Sequence, residues 1–236
     1  MKSLLMFDLD GTVADTNTDL TAAVNHVRAQ HGLAALSVAT VTTMLGNGLR
    51  DLTTRTFADA PSLDFDAVTE LVRDYYWSHV VVETCLYDDV LETLAHLKEA
   101  GYKLAVVTNK PEGPATTIMD ALGVSPYLDC LIGGGRCANL KPHPEPLLLA
   151  LKETGCEAAK SWIIGDNWTD LGAAANAGVK ACFCTYGYGS KRDYAFDVEI
   201  ASFRELEKIL LPLVQPKPQP NLRTTDYLTR PLAATK

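Results

Sequence analysis

The sequence predicts an α/β fold, a doubly wound parallel sheet carrying an inserted all-helical unit, and three observations lead there. Leu4-Leu5-Met6-Phe7, Leu104-Ala105-Val106-Val107 and Trp162-Ile163-Ile164 are apolar runs without polar alternation, the pattern of strands buried on both faces. Single helical stretches separate the later runs, and strands joined by one helix each call for right-handed crossovers and parallel pairing. Directly after the first run, the periodicity turns helical and stays so for about seventy residues.

Taken in order, the first strand ends in Asp8-Leu9-Asp10-Gly11-Thr12. Leu20, Ala23, Val24, Val27 and His31 then recur at helical spacing, and Gly32 ends that helix. Ser37 is placed to cap a helix over Val38 to Leu45, Gly46-Asn47-Gly48 interrupts, and Leu49 to Phe57 resumes. Val68, Leu71, Val72, Tyr75, Tyr76 and His79 form the longest apolar stripe. From Leu86 onward helices and strands alternate. Asp89 is expected to cap a helix through Leu97 that Gly101 stops, and the Leu104 to Val107 strand ends in Thr108-Asn109-Lys110. A helix over Glu112 to Leu122 leads to a Leu128 to Ile132 strand, followed by three glycines. Pro144 to Thr154 is helical, Trp162 to Ile164 ends in Gly165-Asp166, and a further helix runs through Ala177. Val179 to Cys184 is the last clear strand. The expected organisation is a core of 1–14 and 85–211, a helical cap at 15–84 that enters and leaves at the edge where Asp8 lies, and a Pro-rich, extended or disordered tail at 212–236.

Composition limits the function classes. At 236 residues, 47% apolar and 21% charged, the chain has the make-up of a globular protein able to bury a real core. A net charge of -8 with no Lys/Arg cluster argues against a nucleic-acid or anionic-membrane surface. No apolar run approaches the roughly 20 residues of a spanning helix. Met1-Lys2-Ser3 leads into a strand rather than a signal-peptide core, so a cytoplasmic protein is expected, a monomer or small homo-oligomer. Cys85, Cys130, Cys137, Cys156, Cys182 and Cys184 form no C-x-x-C pair and read as reduced thiols. Neither a G-x-x-x-x-G-K-[ST] loop nor dinucleotide glycine spacing is present.

Ligands of open α/β sheets bind beyond the carboxyl ends of strands. Asp8 and Asp10, Thr108 and Asn109, Lys141, and Asp166 with Asp170 all lie at such ends or in the loops after them. Four carboxylates crowded into one poorly solvated crevice repel, and a divalent cation answers that; hard oxygen ligands suit Mg²⁺. The same ion, Lys141 and the Thr108 hydroxyl would draw in a phosphate that an acidic protein otherwise repels. Asp8 is then a candidate nucleophile toward phosphorus, and Asp10 the acid and base for leaving group and water.

Asp8-x-Asp10-Gly11-Thr12, Thr108-Asn109, Lys141-Pro142 and Gly165-Asp166-x-x-x-Asp170 resemble the four ordered motifs of the haloacid dehalogenase-like hydrolase superfamily. The resemblance extends through about Gly189, and implies a Rossmann-type core with the helical insertion as its cap. It implies Asp8 as nucleophile, Asp10 as acid/base, and Thr108, Asn109 and Lys141 around the substrate phosphate. It further implies Mg²⁺ held by Asp8, the backbone carbonyl of Asp10 and Asp166, with Asp170 supporting the metal. Leu45-Gly46-Asn47-Gly48-Leu49-Arg50-Asp51-Leu52 and Lys141-Pro142-His143-Pro144-Glu145-Pro146-Leu147 are similar to the phosphoglycolate phosphatase branch. That branch implies a small phosphorylated metabolite, 2-phosphoglycolate, as substrate, with another sugar or nucleoside phosphate as the alternative, since related caps serve those. Trp168 departs from the family pattern and either narrows the site mouth or packs under the cap.

Other assignments stay open at this level. A phosphomutase of the same superfamily would return the phosphoryl group to a sugar, and a phospho-acceptor signalling module also combines aspartates, a hydroxyl and a lysine on a parallel sheet. Lys110 is either active-site lining or solvent-exposed. Arg50 is either a cation reaching from the cap toward a substrate carboxylate or a solvated helix-face arginine.

Overall fold

The computed structural model describes residues 3–213, so the Pro-rich tail expected over 212–236 lies outside the described residues from 214 on. Its first two residues belong to a 3-10 turn over Leu211–Leu213 rather than to an extended segment. In chain order the elements are β1 (Leu4–Phe7), β2 (Ala14–Asp15), α1 (Asn17–Gln30), α2 (Val38–Thr42), α3 (Leu49–Thr56), α4 (Phe65–Trp77) and β3 (Cys85–Leu86). They continue with α5 (Val90–Glu99), β4 (Lys103–Pro111), α6 (Glu112–Ala121), β5 (Cys130–Gly134), α7 (Glu145–Thr154), β6 (Trp162–Gly165), α8 (Trp168–Ala177), β7 (Lys180–Cys184), β8 (Val198–Ile200) and α9 (Glu205–Leu210).

Six strands form one sheet in the order β5-β4-β1-β6-β7-β8, and every pairing is parallel. Unbroken apolarity in β1 has a direct structural cause. Leu5 and Phe7 point into a core shared with α5, α6 and α9, while Leu4 and Met6 point into a second core under α7 and α8. The chain steps from β1 to β4 and β5 on one side and to β6, β7 and β8 on the other, so strand order reverses beside β1. A crevice forms at such a reversal, beyond the carboxyl ends of the strands.

Helices α1 to α4 pack on one another and follow β1 without adding to the sheet. Arg28, buried in α1, staples them together: its guanidinium donates to the carbonyls of Ala34 and Thr56 and forms a forked pair with Asp59 at 2.7 and 2.9 Å. The two crossings between helices and sheet are tied to each other. Strands β2 and β3 pair antiparallel, and the Asp19 carboxylate accepts the backbone N–H groups of Val82, Glu83 and Thr84 and the Thr84 hydroxyl.

Several local expectations need correction. Strand β4 runs on through Thr108, Asn109 and Lys110 to Pro111, because these polar side chains are buried with partners and continue the strand with a register shift after Val107. Strand β5 takes in Gly133 and Gly134, where an added Cβ would collide with Glu112 and with the Asn109 carbonyl of the neighbouring segment. Asp89 precedes α5 in a left-handed conformation, φ 64°, and caps nothing with its side chain, which faces Arg204 instead at 3.4 Å. Strand β8 and helix α9 add two short elements of three and six residues beyond the last strand expected. Ser37 does cap α2, accepting the Thr40 N–H. No helix among the described residues is long and apolar enough to cross a membrane, and all six cysteines are free thiols.

Candidate active site

The carboxyl ends of β1, β4 and β6 open into a cleft of about 720 Å³, part of it solvent at the mouth. Its floor includes Asp8, Asp10, Thr108, Lys110, Asp166 and Asn167. Its roof is apolar and comes from the inserted helices, with Leu20, Leu45, Leu49, Leu52, Tyr76 and Trp77 facing inward.

Asp8 follows β1, and its carboxylate accepts the Leu9 N–H at 2.8 Å and faces the Lys141 ammonium at 3.0 Å. Asp166 follows β6 and receives the N–H groups of Tyr188 and Gly189 at 3.0 and 2.7 Å and the Thr12 hydroxyl at 3.3 Å. Gly11, φ 82°, is needed beside it, because a Cβ there would fall 2.3 Å from an Asp166 oxygen. Asp170 lies in the first turn of α8 and forms a reciprocal cap with Asn167, whose side chain accepts the Thr169 N–H while Asp170 accepts the Asn167 N–H.

Carboxylate oxygens of Asp8, Asp166 and Asp170 all lie within 4.8 Å of one another. Asp8 is 8% exposed, against 2% for Asp166 and none for Asp170. Burial, followed by repulsion from Asp8 and Asp170, pushes Asp166 up to about 8. Burial and Asp8 likewise raise Asp170 to about 7, with Lys141 pulling the other way. Three acids held this close against their own repulsion form a hard-oxygen site suited to a divalent cation.

Lys141 and Asn109 were expected against a substrate phosphate, and their bonds are directed elsewhere. The three N–H groups of the Lys141 ammonium meet Val107 O at 2.6 Å, Asp170 at 2.6 Å and Asp8 at 3.0 Å, and the residue does not line the cleft. Burial alone would lower its pKa, but Asp170 and Asp8 outweigh that and raise it. Asn109 is used up on backbone: its amide donates to the carbonyls of Lys141 and Gly46 at 2.9 and 3.1 Å, and its oxygen accepts the Lys141 N–H at 2.8 Å. It therefore fixes Lys141 and joins the floor to the helical roof. Gly46, φ 107°, also lets the roof close against Asn167, since a Cβ there would come within 2.6 Å of the Asn167 amide. Thr108 faces the cleft, and its oxygen accepts the Lys110 N–H, which leaves the hydroxyl proton free to donate.

Asp10, expected to serve the ion through its backbone carbonyl, has its side chain outside the carboxylate cluster. It accepts from the Thr16 hydroxyl at 2.5 Å and from Lys110 Nζ at 2.8 Å. Arg50 does not reach the cleft; it is 64% exposed and paired with Asp66 on the outer surface. Trp168 neither narrows the mouth nor packs under the inserted helices, since it lies beneath the Arg192 guanidinium, 4.2 Å from the ring centroid, with Tyr194 beside it. Residues 5–184 match the haloacid dehalogenase-like hydrolase family.

The chain belongs to that family.

Among haloacid dehalogenase-like hydrolases, a phosphoglycolate phosphatase of Colwellia psychrerythraea is 36% identical over 199 residues, covering 81% of this chain and 88% of that protein. The phosphoglycolate phosphatase of Caulobacter vibrioides is 34% identical over 223 residues, covering 92% and 94%. A structure described as a predicted phosphoglycolate phosphatase from Haemophilus somnus superposes with a TM-score of 0.82 at 30% identity, covering 88% of this chain and 97% of the other. Two groups at this hydrolase site escaped the sequence reading. Lys110, open on sequence alone between active-site lining and solvent exposure, lines the cleft, as a lysine following Thr108-Asn109 in a buried strand must find a partner. Tyr188 and Gly189 close over Asp166 with their N–H groups, and the Gly187-Tyr188-Gly189 spacing was the available signal. A Cβ on Gly187 would lie 2.4 Å from the Asp166 Cβ.

Proposed function

We propose that this hydrolase is a Mg²⁺-dependent phosphomonoesterase acting on a small phosphorylated metabolite, 2-phosphoglycolate, to give glycolate and phosphate. In this reading residues 1–14 and 85–211 are the catalytic core and 15–84 its cap. One observation carries it: Asp8 is the most exposed member of a three-carboxylate cluster and faces an enclosed cleft, with Asp10 two residues on and outside that cluster. The names of the relatives support the choice of ester. Six free thiols fit the reducing conditions of the cytoplasm.

Asp8, the Asp10 carbonyl, Asp166 and, at one remove, Asp170 would hold the ion. Bound there, Mg²⁺ neutralises the carboxylates and polarises a phosphoryl oxygen. Lys141, 3.0 Å away, holds the Asp8 carboxylate in place. The Asp8 oxygen forms a bond to phosphorus as the ester P–O bond breaks, and Asp10 gives its proton to the departing alkoxide. Asp10 then takes a proton from water as that water attacks phosphorus, releasing phosphate and restoring Asp8. Thr108 donates its hydroxyl proton to a phosphoryl oxygen, and the apolar roof keeps bulk water from the phosphorylated aspartate.

Phosphate release from 2-phosphoglycolate, with Mg²⁺ and with EDTA, tests the reading. Asp8→Asn is expected to lower kcat by at least about 1,000-fold with the fold intact. Hydrolysis at the original rate by that variant, or undiminished turnover in EDTA, sinks the proposal. Isomerisation of a hexose phosphate without free phosphate would point to the mutase alternative.

A further inference from the structure

Nothing in the mechanism above uses Lys110, which among the described residues is the one cationic side chain lining the cleft. Its side chain is only 3% exposed, with Nζ 2.8 Å from Asp10 Oδ1 and 4.8 Å from the centre of the Tyr76 ring. An ammonium carries three N–H donors, and Asp10 and the ring face occupy two directions. Tyr76, on the inserted helix α4, is 2% exposed, and its hydroxyl interacts with the Lys110 ammonium beside it without reaching full hydrogen-bond geometry to any group among the described residues. A buried hydroxyl left short of a full hydrogen bond costs up to about 1–3 kcal/mol, so a group that satisfies it on binding recovers that energy.

The position of the pair says which part of the substrate meets it. Asp10 works on the leaving oxygen, so a group hydrogen-bonded to Asp10 lies on the leaving-group side of the cleft, away from the carboxylate cluster. Among the described residues no second cation lines the cleft there: Leu20, Leu45, Leu49 and Leu52 form the roof, and Arg50 is turned outward. We propose that Lys110 and the Tyr76 hydroxyl recognise a carboxylate carried on the leaving alcohol, one carbon from the ester oxygen, and so select phosphate esters of short 2-hydroxy acids over those of neutral alcohols. This assignment rests on the phosphomonoesterase reading and adds to it the residues that set specificity. It also accounts for an acidic protein accepting a dianionic ester that bears a further negative charge. The one cation that lines the cleft among the described residues stands where that charge arrives, in a site sheltered from screening.

The test compares kcat/KM for 2-phosphoglycolate and for its neutral carboxamide analogue, with Mg²⁺, in the wild type and in Lys110→Met, Lys110→Arg and Tyr76→Phe. The wild type is expected to prefer the carboxylate ester by about 50-fold or more, as one charge-assisted contact allows. In Lys110→Met that ratio is expected to fall to near one, and Lys110→Arg to restore part of it. Tyr76→Phe removes only a hydroxyl whose contact is with Lys110, so it tests the proposal even where Lys110→Met folds poorly. It should cut the ratio about five-fold through a higher KM for the carboxylate ester alone. Equal use of both esters by the wild type overturns this assignment and leaves the phosphatase reading standing. Equal losses on both esters in Lys110→Met, or an unchanged ratio in Tyr76→Phe, overturn it too and make Lys110 a support for Asp10. A wild type inactive on both esters removes the phosphatase reading itself.

Discussion

The Lys141 ammonium lies between Asp8 and Asp170 with almost no contact with water. Such an arrangement is held by mutual need, because removing one member leaves the opposite charge buried and unpaired. Lys141→Met is therefore expected to destabilise the protein by about 3–5 kcal/mol, read as a drop in the urea midpoint measured in EDTA. Midpoints that coincide with the wild type would show that these carboxylates do not depend on the lysine. Asn109 makes a related point about residue roles. Its polarity suggests ligand binding, yet all its bonds go to the backbone of residues 46 and 141, so what it does in the fold is place its neighbours.

Between the sheet and the inserted helices the chain crosses twice, and α1 carries the residue that ties those crossings together. Four donors converge on Asp19, three of them consecutive backbone N–H groups, and they hold its carboxyl below the usual range despite the burial that opposes this. Asp19→Asn keeps the size but turns an NH₂ group toward N–H donors. A loss of about 2–3 kcal/mol in unfolding free energy is expected, together with faster proteolysis near residues 82–84. Equal stability and equal protection would remove Asp19 from the account of how the helices are anchored. A shift of the Asp19 carboxyl below its usual value makes its contribution greatest above pH 4 or so and lost as pH falls through the lowered value.

At the level of the whole molecule the carboxylate cluster sets a pH dependence of opposite sign. Asp166 and Asp170 rise to about 8 and about 7 in the fold from a usual 3.8. Between those limits the folded chain holds protons that the unfolded chain has released, so stability from these groups falls as pH rises from about 4 to about 8. Below that window both states are protonated and the effect vanishes. In EDTA the melting temperature is expected to fall between pH 5 and pH 8, and Asp166→Asn to flatten the fall. On the proposed function Mg²⁺ would bind the ionised form, so it should raise the melting temperature at pH 8 far more than at pH 5. Equal stabilisation at both pH values would mean that the ion, where it binds at all, does not engage this cluster.

The sequence by itself determined the sheet, the helical insertion and the family. Doubly buried strands must be apolar on both faces, and motif acids at strand ends are spaced by the chain itself. What it left undecided were the partners of each polar group. Lys110 and Arg50 are both cations beside motif segments, and only packing turned one into the cleft and the other to Asp66 in solvent. Strand β4 outran its apolar stretch because burial with partners, set by distant residues such as Asp10 and Gly46, made three polar positions compatible with a strand. Tertiary structure alone could decide these points. A side chain's charge and length are local properties, whereas the group that compensates its desolvation is brought to it by folds of the chain far away in sequence.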